Sequence, residues 1–91
     1  MALNEQSCPA LNRGVRLQND RQTGEPLLLF PEGVLYLSET ASQIVLKCDG
    51  GTSVKDIIQK LAHEYEAEPE TLRQDVLECL EDLSRRKLVI V

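Results

Sequence analysis

A chain of 91 residues has room for one domain and one modest core, since a chain this short buries only about 60–65% of its unfolded surface. One Phe, two Tyr and no Trp leave Leu, Ile and Val to build that core and make base-stacking platforms scarce. The net charge of −5 argues against a nucleic-acid partner, which needs a clustered excess of Lys and Arg.

Residues 1–14 mix Asn, Glu, Gln, Ser, Pro and Gly without periodicity, so the sequence predicts a mobile leader there and a folded domain over 15–91. Met1 to Ala10 has no basic region followed by an apolar run, unlike a signal peptide, and no stretch reaches the roughly 18 apolar residues of a membrane span. Val15 and Leu17 alternate with Arg16 and Gln18, which predicts a half-buried strand from Val15 to Asp20, and Arg21 to Glu25 supplies a turn. Pro26 to Phe30 is apolar on both faces and suits a central strand. Pro31, Glu32 and Gly33 then turn the chain into a short third strand, Val34 to Leu37.

Ser38 can cap a first helix whose Ala41, Ile44, Val45 and Cys48 recur at helical spacing until Asp49, Gly50 and Gly51 stop it. Thr52 or Ser53 can cap a second helix with the stripe Val54, Ile57, Ile58, Leu61 and Tyr65. Pro69 suits the first turn of a third helix, with Glu68 and Glu70 at its positive end and Arg85, Arg86 and Lys87 at its negative end. Its core stripe is Leu72, Val76, Cys79, Leu80 and Leu83, and Leu88 to Val91 leave as an extended tail able to add a short strand. The predicted fold is α+β: a three-stranded antiparallel sheet followed by a three-helix bundle, in the manner of a winged helix-turn-helix.

Catalytic constellations are thin. His63 is the one histidine, off its helix's apolar stripe and without a nucleophile or metal partner spaced near it. Cys8, Cys48 and Cys79 form no CxxC pair, so neither a disulfide framework nor a zinc site is indicated, and a reducing cytoplasm fits. The acids Glu78, Glu81 and Asp82 match an ordinary solvated helix face, and Gly50–Gly51 lacks the phosphate-loop pattern. Nothing in the sequence calls for an enzyme, a cofactor or a metal.

Two features point to binding instead. Val34, Leu35, Tyr36 and Leu37 form an edge strand with no charge or Pro to blunt it, which invites strand addition. On the third helix Leu77 lies about 120° from the centre of the core stripe, and Arg73, Leu80 and Ser84 share that flank. If strand and helix run side by side, they border a groove able to hold an extended peptide; in the alternative, Leu77 is simply packed and residues 88–91 cover the edge.

The run Leu28-Leu29-Phe30-Pro31-Glu32-Gly33-Val34-Leu35-Tyr36-Leu37-Ser38-Glu39-Thr40-Ala41, then Ile44-Val45 and Cys48-Asp49-Gly50, resembles the signature of the PqqD family. Thr52-Ser53-Val54 with Ile57, and the helix from Pro69 to Lys87-Leu88-Val89, extend the likeness over residues 12–91; Ser38 departs from the family's more usual Asn, and both residues cap helices. The resemblance implies a recognition element for ribosomally made, modified peptides, acting as a peptide chaperone in pyrroloquinoline quinone biosynthesis. It implies a PqqA-type precursor peptide as ligand and a PqqE-type radical SAM enzyme as the recipient. It also implies that the ligand lies beside Val34, Leu35, Tyr36 and Leu37 and against Arg73, Leu77, Leu80 and Ser84.

Three other readings compete. A recognition domain for a different modified peptide would share the fold. A winged-helix DNA binder would need a basic third helix, whereas residues 69–87 carry more acids than bases. An acyl-carrier-like adaptor would need a modifiable loop serine, which no position recommends. The open edge and long hairpin turn also permit a homodimer through exchange of residues 1–25.

Overall fold

The computed structural model describes residues 3–91, in the order β1 (Ala10–Leu11), β2 (Arg16–Asn19), β3 (Pro26–Phe30), β4 (Gly33–Tyr36), α1 (Glu39–Leu46), α2 (Val54–Glu64), α3 (Pro69–Arg85) and β5 (Val89–Ile90). The chain forms the expected α+β arrangement, with β2, β3 and β4 as the three-stranded antiparallel meander ahead of three helices.

Side chains fix the helix starts. Ser38 accepts the Ala41 N–H at 3.0 Å and Ser53 accepts the Asp56 N–H at 3.1 Å, each satisfying a donor that its helix cannot pair internally. α3 begins without a side-chain cap at Glu68, and Pro69 follows, with no N–H to satisfy. α1 ends at Leu46, so Cys48, expected on its stripe, lies past the helix end, though it is buried. Beyond it Asp49 Oδ1 takes the N–H groups of Gly51 and Thr52, both at 2.9 Å, while Gly50 turns the chain at φ 81°.

The core lies between the helices and one face of the sheet. Leu28, Ile44, Val54, Ile57, Leu61, Val76, Leu80 and Val89 are all but inaccessible to solvent. Leu17, Leu28 and Leu35 stand opposite one another across the three strands and meet this core. The other face carries the rows Arg16–Leu29–Val34 and Gln18–Leu27–Tyr36, with Leu29, Val34 and Tyr36 exposed. Leu27 is buried even there. The Tyr36 hydroxyl donates to Asp20 Oδ2 at 2.7 Å, two strands away, so the ring must cross β3 over Leu27, its register partner.

The segment expected to be an irregular leader is built into the domain. Ala10 and Leu11 pair antiparallel with Ile90 and Val89, and Pro9 is fully buried. Ser7 and Glu5 carbonyls accept the N–H groups of Val54 and Lys55 at 2.8 and 3.0 Å, capping two orphan donors in the first turn of α2. The Pro9 carbonyl takes the Gly50 N–H at 2.9 Å. A two-residue strand and a set of backbone acceptors leave no periodic trace in a sequence, so pattern alone misses them. Met1 and Ala2, part of that same expected leader, lie outside the described residues.

Candidate functional site

β4 is an edge strand of the sheet order β2-β3-β4. The register defines what its free edge displays. Leu37 N–H donates to Pro26 O at 2.9 Å, which makes 26 and 37 a hydrogen-bonded pair. Hydrogen-bonded pairs alternate along an antiparallel ladder, so Leu35 with Leu28 and Gly33 with Phe30 are the inward pairs. Val34 and Tyr36 therefore turn their N–H and C=O groups away from β3. Their separation along the strand is about 6.8 Å, the repeat that an added antiparallel strand would match. The expected edge is thus present, and its usable backbone groups belong to two residues of the four.

α3 reaches hollows that adjoin the two ends of β4, its earlier part near the end of the strand and its last turn near the start. Asp75 and Cys79 line a hollow of about 240 Å³ with Ser38, Thr40, Ala41 and Ile44, just after β4. Arg86 shares a second hollow, of about 480 Å³, with Phe30, Pro31 and Glu32, just before β4. Helix residues 75, 79, 82 and 86 fall on one flank by their spacing, and three of them line these two hollows. The other flank faces elsewhere. Arg73 is about 200° around the helix from Asp75, pairs with Glu5 at 3.0 Å, and lines a separate hollow with Lys55, Ile58 and Gln59 of α2.

Of the side chains singled out in the sequence, Val34 and Tyr36 are exposed on the open sheet face, and Leu35 and Leu37 are half-buried toward the core. Leu80 is 0% exposed and offers no surface to a ligand. Leu77 is half-buried and packed against the core, and Ser84 shares Arg73's flank. The structure places the β4 residues on an open sheet edge between two hollows and puts Arg73, Leu77 and Ser84 on the side of α3 that includes the contact with the N-terminal segment. Asp75, Cys79 and Arg86 occupy the side that lines the hollows. Cys79, expected on the core stripe, is half-buried at the margin of that stripe, and the polar Asp75 and Arg86 beside it give no sign in the sequence that this flank borders anything.

Burial pushes the Cys79 thiol up to about 11, with Asp82 adding to it. Burial pushes Cys48 up to about 12, with the neighbouring Cys79 and Asp49 contributing, so both are neutral thiols at physiological pH. The Tyr36–Asp20 bond holds the Asp20 carboxyl below its ordinary range, helped by the Gln22 and Thr23 N–H groups, and raises the Tyr36 hydroxyl. Among the described residues no group of three His, Cys, Asp or Glu is placed to hold a metal ion, and no helix is long and apolar enough to cross a membrane.

Comparison with known proteins supplies the context for this geometry. The profile of the family Coenzyme PQQ synthesis protein D (PqqD) matches residues 25–89. A protein named PqqA binding protein from Xanthomonas campestris pv. campestris (strain B100) is 38% identical over 87 residues, covering 96% of this chain and 95% of that one. Another of that name from Xanthomonas oryzae pv. oryzae (strain PXO99A) is 40% identical over 81 residues, covering 89% and 88%. Among solved structures, the NMR structure of the PqqD truncation of Methylobacterium extorquens PqqCD, described as a functional, stand-alone RiPP recognition element, superposes with a TM-score of 0.86 at 31% identity, covering 99% of this chain and 96% of that one. The crystal structure of PqqD from Xanthomonas campestris gives 0.63 at 37% identity, covering 99% and 100%.

Proposed function

Because the chain belongs to the PqqD family, we propose that it binds a PqqA-type precursor peptide as an added strand on β4 and presents it to a PqqE-type radical SAM enzyme. The observation that supports this reading is the pair of outward-facing backbone units at Val34 and Tyr36, with hollows lined in part by α3 at either end of the strand. Backbone pairing supplies affinity and the hollows supply selectivity. A binding role is what the relatives support, one named for binding PqqA and one described as a recognition element. The cytoplasm, where its peptide and enzyme partners would be made, is the compartment that fits.

The named relatives favour PqqA as the peptide, while the description of the Methylobacterium extorquens domain as a RiPP recognition element keeps a second reading in view. Strand addition reads backbone more than side chains, so a leader from another modified peptide could use the same edge.

The test is a titration of isotopically labelled protein with the PqqA-type precursor, followed residue by residue by NMR. The expected result is amide shifts concentrated at Val34, Tyr36, Ser38, Asp75 and Cys79. Shifts confined to Arg73, Leu77 and Ser84 would move the site to the opposite flank of α3, and no binding at millimolar peptide would remove the assignment.

A further inference from the structure

Positive charge is scarce in this protein of net charge −5, yet Arg13, Arg86 and Lys87 line one hollow of about 480 Å³ against a single acid, Glu32. Two hydrogen bonds from one residue tie the segments that carry them: Asn12 Nδ2 donates to Lys87 O at 2.8 Å, and Asn12 N to Leu88 O at 2.9 Å. Lys87 stands at φ 63°, a left-handed conformation that a residue with a side chain adopts only at some cost. Arg86 is paired with Asp82 at 3.0 Å. Arg13 and Lys87 lie within ion-pair distance of no carboxylate among the described residues. With Asp82 engaged by Arg86 and Glu32 the one acid in the hollow, three cations there outnumber their acids, and an anionic group would complete the balance.

The position of the hollow says which anion. Phe30 ends β3 and Pro31 and Glu32 form the turn into β4, so the hollow lies at the end of the sheet where β4 begins. A strand added antiparallel to β4 begins near Ser38 and leaves past Gly33, directly at this hollow. At the far end the corresponding hollow holds Asp75 and no cation. The edge is therefore polarised, positive where an antiparallel strand's carboxyl-terminal end emerges and negative where its amino-terminal end enters.

We propose that the hollow formed by Arg13, Arg86 and Lys87 is an acidic-residue subsite, which takes one or two Asp or Glu side chains of the bound peptide just beyond the segment paired with β4. The subsite fixes the direction and register of a ligand that backbone pairing alone leaves free to slip. The inference rests on strand addition at β4, and the charge requirement goes beyond it.

Calorimetry with the PqqA-type precursor and with copies in which each Asp or Glu is replaced singly by Asn or Gln tests it, with wild-type protein, Arg13→Gln/Lys87→Gln and Tyr36→Pro. The expected result is a loss of about three- to tenfold for one or two adjacent peptide acids, the same loss in Arg13→Gln/Lys87→Gln with every peptide, and no further loss when the two changes are combined. Raising the salt should weaken wild type more than the double variant. If the double variant binds as tightly as wild type and still discriminates against the amidated peptides, the subsite is wrong, while lost binding in Tyr36→Pro would leave strand addition standing. If Tyr36→Pro also binds unchanged, strand addition fails and the subsite with it. Circular dichroism of both variants excludes loss of fold as the cause.

Discussion

Replacing Val34 by proline separates edge function from sheet stability. The Val34 N–H points away from β3, so the substitution removes no ladder bond, and edge strands tolerate proline where the lost donor faces solvent. The Val34 side chain is 48% exposed, so little packing is lost. Unfolding stability should change by less than about 1 kcal/mol. Peptide binding should lose the backbone bond donated by that N–H, about 1 kcal/mol or fivefold in Kd, and more where the ring obstructs the incoming strand. Val34→Ala, which keeps the N–H, should bind like wild type within about twofold. Leu35→Pro is the opposite case: it deletes an inward donor, strands the Leu28 carbonyl in the core, and should cost at least about 2–3 kcal/mol of stability. Urea unfolding and calorimetric titration of the three variants check all of this. Equal stability for Val34→Pro and Leu35→Pro would refute the register, and unchanged peptide affinity in Val34→Pro would refute strand addition at this edge.

Deleting residues 1–11 should lower stability by about 2 kcal/mol or more, because it removes buried Pro9, exposes Val89 and unpairs the first-turn donors of α2; an unchanged urea midpoint would contradict that packing. The Tyr36–Asp20 bond has a defined pH window. The folded pKa of Asp20 is depressed, so its contribution is full above 3.8 and is lost as pH falls through the folded value. That of Tyr36 is raised, so its contribution is full below 10.0 and is lost as pH rises through the folded value. Asp20→Asn should return the Tyr36 titration toward 10.0 in an NMR experiment on ring-labelled tyrosine, and an unmoved titration would show that the bond does not hold Tyr36 in solution.

The strands, helices and their order were legible because each has a period that burial imposes. Alternation at Val15 to Gln18, a doubly apolar Leu27 to Phe30, and stripes such as Val54, Ile57, Ile58 and Leu61 are local consequences of which face meets the core. The same patterns placed β4 at the sheet edge and showed it without protective charges. Residues 5–11 were illegible because their contribution is made by backbone carbonyls and a two-residue strand, neither of which selects side chains at a period.

The candidate site divides along the same line. Sequence by itself determined that a free edge exists, that a long helix follows it, and which helix residues share a flank, because those are properties of a strand's pleat and a helix's turn. Which flank of α3 faces β4 is set by how the helix rotates about its own axis as its buried stripe packs on α2, α1 and β5, contacts from distant parts of the chain. That rotation sends Arg73 to Glu5 and carries Asp75 and Cys79 to Ser38 and Thr40, and Arg86 to Pro31 and Glu32, at the two ends of the edge strand. Only the tertiary structure could bring Arg13 beside Lys87, 74 positions later, because the bonds that join them run from Asn12 to carbonyls at the far end of the chain.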